Sequence, residues 1–185
     1  MTRGDDACRV DKRGCDHIFF IGFLGAGKST LARNLGRMFR RRYVDTDRLV
    51  ERRAGMPISE IFDVKGENGF RALETSVLAS LEAKRSLLVS CGGGIVETSD
   101  NIDLMRRMGY CVYLDGDLDD SLRQIRSLEN RPDFRSTEHA AELFRHRRPL
   151  YEAAADLTGL SQILAVGQAD DRTGKEGVAC AGGVD

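Results

Sequence analysis

Eight residues near the start of the chain constrain its fold more than any others: Gly22-Phe-Leu-Gly-Ala-Gly27-Lys28-Ser29. They satisfy G-x-x-x-x-G-K-[ST] at every position. Glycines let the backbone turn tightly enough for successive N–H groups to converge on phosphate oxygens. A helix opening at Lys28 points its positive end at the same place. By residue type, Lys28 bridges β- and γ-phosphate oxygens and the Ser29 hydroxyl binds Mg²⁺. The flanks agree. An apolar run, His17 to Ile21, precedes the loop, and Lys28 to Phe39 repeats apolar residues at Leu31, Leu35, Met38 and Phe39 as an amphipathic helix does. With glycine near 7% of average residues, a fortuitous match is expected in roughly one chain of this length in a hundred or fewer. A purely structural glycine turn is therefore the weaker reading.

Downstream, short apolar runs alternate with longer helical patterns. Tyr43-Val44, Ser86 to Cys91 and Tyr110 to Leu114 read as strands, with a last short one near Asp156 to Leu164. Glu60 to Lys84, the stretch around Leu104 to Met108, Leu118 to Leu128 and His139 to Ala155 read as helices. Such alternation implies right-handed βαβ units and a parallel sheet, an α/β fold whose ligands bind beyond the carboxyl ends of the strands. Residues 17–166 form one domain, which is what 185 residues accommodate. Residues 1–16 are polar and aperiodic and read as a flexible leader. Residues 167–185, with glycines at 167, 174, 177, 182 and 183, read as a disordered tail.

Charge and composition exclude several functions. The 28 basic and 29 acidic residues leave a formal net charge of -1, so nucleic acid is not expected as a partner. The longest apolar stretch, Ile18 to Ala26, falls far short of the ~20 residues that span a bilayer, so no membrane partner is expected either. Five cysteines, an odd number without Cys-x-x-Cys spacing, fit a reducing cytoplasm. Cys91 and Cys111 lie in apolar runs and read as buried thiols. The guanine signature N-K-x-D is absent. The D-x-x-G string at Asp63 to Gly66 falls in a helical stretch, which argues against a GTPase. His17, His139 and His146 show no metal spacing and read as structural. Arg40 to Arg42 read as a charge cluster complementing a helix end, and Phe19, Phe20 and Phe23 as core, although Phe23 lies inside the loop and could partly face ligand.

Three further clusters suggest an acceptor. Asp45-Thr46-Asp47 follows the second strand, and alternate residues of an extended segment face one way, so both carboxylates can reach the rim. One can hold Mg²⁺ and the other accept a proton from an acceptor hydroxyl. The plainer alternative is a helix cap at Thr46 or Asp47 with ordinary surface acids. Arg71 and Glu74 sit three apart on a helix, close enough to pair, so the Glu can hold the guanidinium for a carboxylate contact. An exposed helix salt bridge is the alternative. Gly92-Gly93-Gly94 exceeds what a turn needs and leaves bare backbone for a ligand to approach.

In order and spacing, GFLGAGKST, DTD, GFRALE, CGGG and RRPLY (Arg147 to Tyr151) resemble the shikimate kinase family over about Ile18 to Leu157. The resemblance implies a three-layer P-loop kinase fold with a five-stranded parallel sheet flanked by helices. It also implies ATP and Mg²⁺ as cofactors and a cytoplasmic monomer. The implied activity is phosphorylation of the 3-hydroxyl of shikimate, a step of aromatic amino acid biosynthesis. Carried onto this chain, Gly25, Ala26, Gly27, Lys28, Ser29, Thr30, Arg123, Arg126 and Arg131 bind the nucleotide, and Ser29 and Asp45 the metal. Asp47, Arg71, Gly92, Gly93, Gly94 and Arg147 bind the substrate, and Lys28, Asp47 and Arg131 are catalytic. Arg131 resembles the lid arginine, although Asp133-Phe134 stands where the family usually has leucines. A kinase for another hydroxy acid of gluconate type and a non-catalytic relative are the alternatives.

Overall fold

The computed structural model describes residues 14–119, 121 and 137–160. Among them, five strands pair in one all-parallel sheet: β1 (His17–Ile21), β2 (Tyr43–Asp45), β3 (Leu88–Ser90), β4 (Gly109–Asp115) and β5 (Leu157–Leu160), in the order β2-β3-β1-β4-β5. The apolar run of β1 follows from its central place, because a strand covered on both faces has no use for alternation. Phe19 and Ile21 enter one large core with Leu78, Met105, Tyr113 and Tyr151. Phe20 points the other way and packs with Ala32 and Leu88. Helices on both faces make three layers.

Five helices are described: α1 (Lys28–Met38), α2 (Thr46–Ala54), α3 (Ile58–Ala79), α4 (Ser99–Met108) and α5 (Thr137–Ala154). α1 covers the Phe20 face, where Leu31 and Leu35 support the small cluster. α2 and α3 pack on each other through a satellite core of Val50, Ile61, Phe70 and Val77. That pair stands beside the sheet and forms one wall of the cavity described below.

Several details depart from the sequence reading. α2 starts at Thr46, so the segment after β2 is helical rather than extended. Asp45 itself is the cap, its carboxylate accepting from the Arg48 N–H at 3.2 Å. The long helix expected over Glu60 to Lys84 starts at Ile58 and ends at Ala79, followed by a 3₁₀ turn, Ser80–Ala83. It is broken at Gly66, where φ is 65° and ψ −178°, a conformation suited to glycine. Cys15, expected in the polar leader, is buried, with its thiol donating to the Glu82 carbonyl. Arg41 serves the α1 end through its backbone N–H, which donates to the Gly36 carbonyl at 3.0 Å, while its guanidinium holds the Ser86 carbonyl and Asp16. Phe23, by contrast, is core as expected, packed edge-on against Phe144. The helix expected at Leu118 to Leu128 lies mostly outside the described residues, as do residues 1–13 and 161–185.

Other expectations are met. Cys91 and Cys111 are buried free thiols. His17 is structural: its Nδ1 accepts from the Leu87 N–H and its Nε2 donates to the Leu81 carbonyl. Phe19 is fully buried and meets the His17 ring edge-on at 5.8 Å. Phe19→Ala should therefore cost about 3–5 kcal/mol. Urea unfolding should show this as a lower midpoint with an unchanged slope.

Candidate active site

Parallel register brings the polar residues together. β2 and β3 pair with Asp45 beside Ser90, and β1 and β3 pair with Phe20 beside Ser90. One residue after β1 the chain enters the glycine loop at Gly22, whose φ is 141° and where a Cβ would lie 2.6 Å from the Leu114 carbonyl oxygen. The loop ends at Gly27, with φ 82°, and α1 begins at Lys28. Lys28 is buried, and its Nζ donates to the carbonyls of Gly22 (2.8 Å) and Phe23 (2.7 Å). Ser29 Oγ lies 3.1 Å from Asp45 Oδ2 and 2.9 Å from Ser90 Oγ. The Tyr43 hydroxyl donates to the same Asp45 oxygen at 3.2 Å.

The second half of the site is built on the glycine run. Thr46 is buried and its Oγ1 accepts from the Gly92 N–H at 2.8 Å, which fixes the first turn of α2 against the end of β3. Asp47 Oδ1 occupies the place a Cβ on Gly92 would take, 2.3 Å away. Arg71 fills the equivalent place at Gly94, where a Cβ would lie 2.4 Å from Nη1. Bareness at Gly92 and Gly94 is thus demanded first by the protein's own side chains. Only Gly93 is open, its nearest neighbours being 3.7 Å from a built Cβ.

Arg71 donates to Glu74 Oε2 (3.0 Å), to the Gly94 carbonyl (3.1 Å) and to Glu67 (3.3 Å). The Arg71–Glu74 pair is therefore no exposed salt bridge: the Glu74 side chain is 1% exposed. Burial drives the Glu74 carboxyl up to about 7 from the ordinary 4.5, against the pull of Arg71. Its Oε1 has no hydrogen-bond partner. Arg147, on α5, is also buried and donates from Nε to Glu97 at 2.7 Å. The Tyr151 hydroxyl, one turn further along α5, donates to the Gly93 carbonyl.

Both halves face one cavity of about 430 Å³. Gly25, Gly27, Lys28, Ser29, Thr30 and Asp45 border one end, and Asp47, Arg71, Glu74, Gly92 to Gly94 and Arg147 the other. Ala26, within the loop, is buried. Arg123, Arg126 and Arg131 lie outside the described residues. Sequence reasoning missed Ser90, Thr46, Glu97 and Tyr151. Thr46 and Tyr151 stood inside motifs already singled out. Ser90 and Glu97 carry no local signal, since only register and tertiary packing place them here.

Glu74 gives the site a pH signature. A carboxyl that holds its proton more tightly when folded adds stability that is complete below pH ~4.5 and disappears as pH rises through about 7. Up to about 3 kcal/mol is involved. Urea unfolding at pH 5 and pH 8 should show Glu74→Gln gaining on the parent chain at the higher pH. Equal slopes in the two proteins would remove the assignment.

Comparison with known proteins agrees with this geometry. A sequence model of the shikimate kinase family matches residues 24–169. A shikimate kinase of Nitrosospira multiformis is 35% identical over 150 residues, covering 80% of this chain and 77% of the relative. Among solved structures, the shikimate kinase from Acinetobacter baumannii in complex with shikimate superimposes with a TM-score of 0.76 at 30% identity. It spans 89% of this chain and 97% of its own. A gluconokinase from Sinorhizobium meliloti shares the fold with a TM-score of 0.52, but at 12% identity it carries nothing about substrate.

Proposed function

The chain belongs to the shikimate kinase family, and we propose that its rim cavity takes ATP and shikimate end to end and phosphorylates the 3-hydroxyl of shikimate. One observation carries this reading: a phosphate loop and two arginines suited to a carboxylate, the buried Arg147 and the half-buried Arg71, border the same cavity, with Asp47 at the acceptor end.

The residues suit a nucleotide and its magnesium ion. Lys28 spends its ammonium on two loop carbonyls, bonds that phosphate oxygens can replace. Ser29 and Asp45 bring a hydroxyl and a carboxylate oxygen within 3.1 Å. Among the described residues no three His, Cys, Asp or Glu side chains are grouped for a metal. That suits Mg²⁺, which keeps waters and takes phosphate oxygens beside one or two protein ligands. Bound ATP with Mg²⁺ supplies the transferable phosphoryl group and neutralises charge on its oxygens.

The chain's own groups position and stabilise. The loop N–H groups and Lys28 would hold the phosphates, and their fixed charge would meet the charge that develops in a loose transition state. Arg71 and Arg147 grip the substrate carboxylate, with the Gly93 backbone close to the ring. Asp47 accepts a hydrogen bond from the reacting hydroxyl and takes its proton late in the transfer. Arg131 is our candidate for the lid arginine, and Arg123 and Arg126 for the adenine side. We further read the protein as a cytoplasmic monomer. The free, buried Cys15, Cys91 and Cys111 support a reducing compartment, and among the described residues no helix is long and apolar enough to cross a membrane.

A coupled ADP-release assay with ATP, Mg²⁺ and shikimate tests the reading. Turnover should depend on shikimate, should not occur with gluconate, and should stop when EDTA removes the metal. Lys28→Ala should lower kcat by about 10²–10³-fold. Arg71→Ala should chiefly raise KM for shikimate, by on the order of tenfold or more, since it removes hydrogen bonds to a charged group. An unchanged KM in Arg71→Ala, or a parental rate in Asp47→Asn, would remove that residue from the mechanism.

A further inference from the structure

Arg147 has a partner that no motif announces. Glu97 sits on the 3₁₀ turn that follows the glycine run, Ile95–Glu97. The turn is rigidly mounted: Ile95 and Val96 are core residues, and the buried Asn101 donates to the Ile95 carbonyl at 3.2 Å. The Glu97 N–H donates to the Gly94 carbonyl at 3.0 Å, the same oxygen that receives Arg71 Nη1. From this mount the carboxylate reaches α5. One oxygen accepts from Arg147 Nε at 2.7 Å, and the other lies 3.3 Å from His146 Nε2.

Contact through Nε decides what the guanidinium can still do. A planar guanidinium held at Nε keeps its Nη edge available for a bidentate contact. Nη1 of Arg147 lies 3.7 Å from where a Cβ on Gly93 would be, and both residues border the cavity. We propose that Glu97 is a positioning residue of the acceptor site, fixing Arg147 by its Nε so that the Nη edge is presented to the substrate carboxylate. The inference rests on the shikimate kinase reading and adds to it a residue outside the motifs.

Two effects of Glu97 oppose each other. Its negative charge disfavours an incoming carboxylate, while its grip removes the entropy cost of orienting a long side chain during binding. The charge is the weaker effect. Burial alone would raise the Glu97 carboxyl, but Arg147, together with Arg71 and His146, holds the group below the usual carboxylate range. The carboxylate is therefore ionised at neutral pH, already neutralised by its partner, and 24% exposed to screening water. Orientation should decide the balance.

Steady-state kinetics with shikimate, together with calorimetric titration of shikimate into the nucleotide-free protein, tests this. Glu97→Ala should raise KM and Kd for shikimate by about tenfold, the worth of one charge-assisted hydrogen bond, and keep kcat within about threefold. Glu97→Gln retains an acceptor oxygen without the opposing charge and should restore KM to within about threefold of the parent. Glu97→Met refills the volume and replaces the alanine variant should that one not fold. An unmoved KM in the variants lacking the acceptor, a loss confined to kcat, or a glutamine variant as impaired as alanine would each overturn the role. A parent chain that binds no shikimate would instead overturn the substrate reading, and this inference with it.

Discussion

Three consecutive glycines hold the acceptor half of the site together through their backbone. Gly92 gives its N–H to Thr46 on α2, Gly93 receives the Tyr151 hydroxyl from α5, and Gly94 receives Arg71 from α3. Each helix that carries an acceptor-side residue is therefore pinned to the same short segment. That segment follows β3, whose register also puts Ser90 beside Asp45 and within reach of Ser29. The donor and acceptor halves thus share one rigid strand end. Reaction geometry depends on atoms held within fractions of an ångström. Hanging both halves on a central parallel sheet, rather than on separate loops, meets that demand.

Legibility from sequence followed distance along the chain. The phosphate loop was readable because all its parts lie within eight residues and its backbone does the work. The pairing of Arg71 with Glu74 was readable because helix geometry brings residues three apart together. The sheet was readable from the alternation of apolar runs with helical stretches, although its strand order was not. Asp45 and Asp47 were located correctly but for an incorrect reason. They share the rim because Asp45 ends a strand and caps the helix that carries Asp47, not because they alternate on an extended segment.

What the sequence could not supply was tertiary coincidence. Glu97 lies fifty residues from the arginine it holds, and nothing local distinguishes it from a surface acid after a turn. The glycine run signalled a close approach, but not that the approaching atoms belong to Asp47 and Arg71. Gly66 was read simply as part of a helical stretch, yet its positive φ splits α3. Each case requires knowing which distant element arrives, and period and propensity do not encode that.

The cations of the site share a further property. Lys28 rests on two carbonyls, Arg71 on Glu74, Glu67 and a carbonyl, and Arg147 on Glu97. A buried cation without such partners would carry a desolvation penalty of several kcal/mol, so an open site must satisfy its charges internally. Ligand binding then becomes an exchange of partners rather than a fresh desolvation. The exchange need not be equal everywhere. Lys28 can leave neutral carbonyls for charged phosphate oxygens, a clear electrostatic gain. In the proposed binding mode the arginines would keep their carboxylates and use their remaining donors, so the gain there would depend on geometry. On the proposed reading, tight phosphate holding and orientation-dependent carboxylate recognition would follow from that difference.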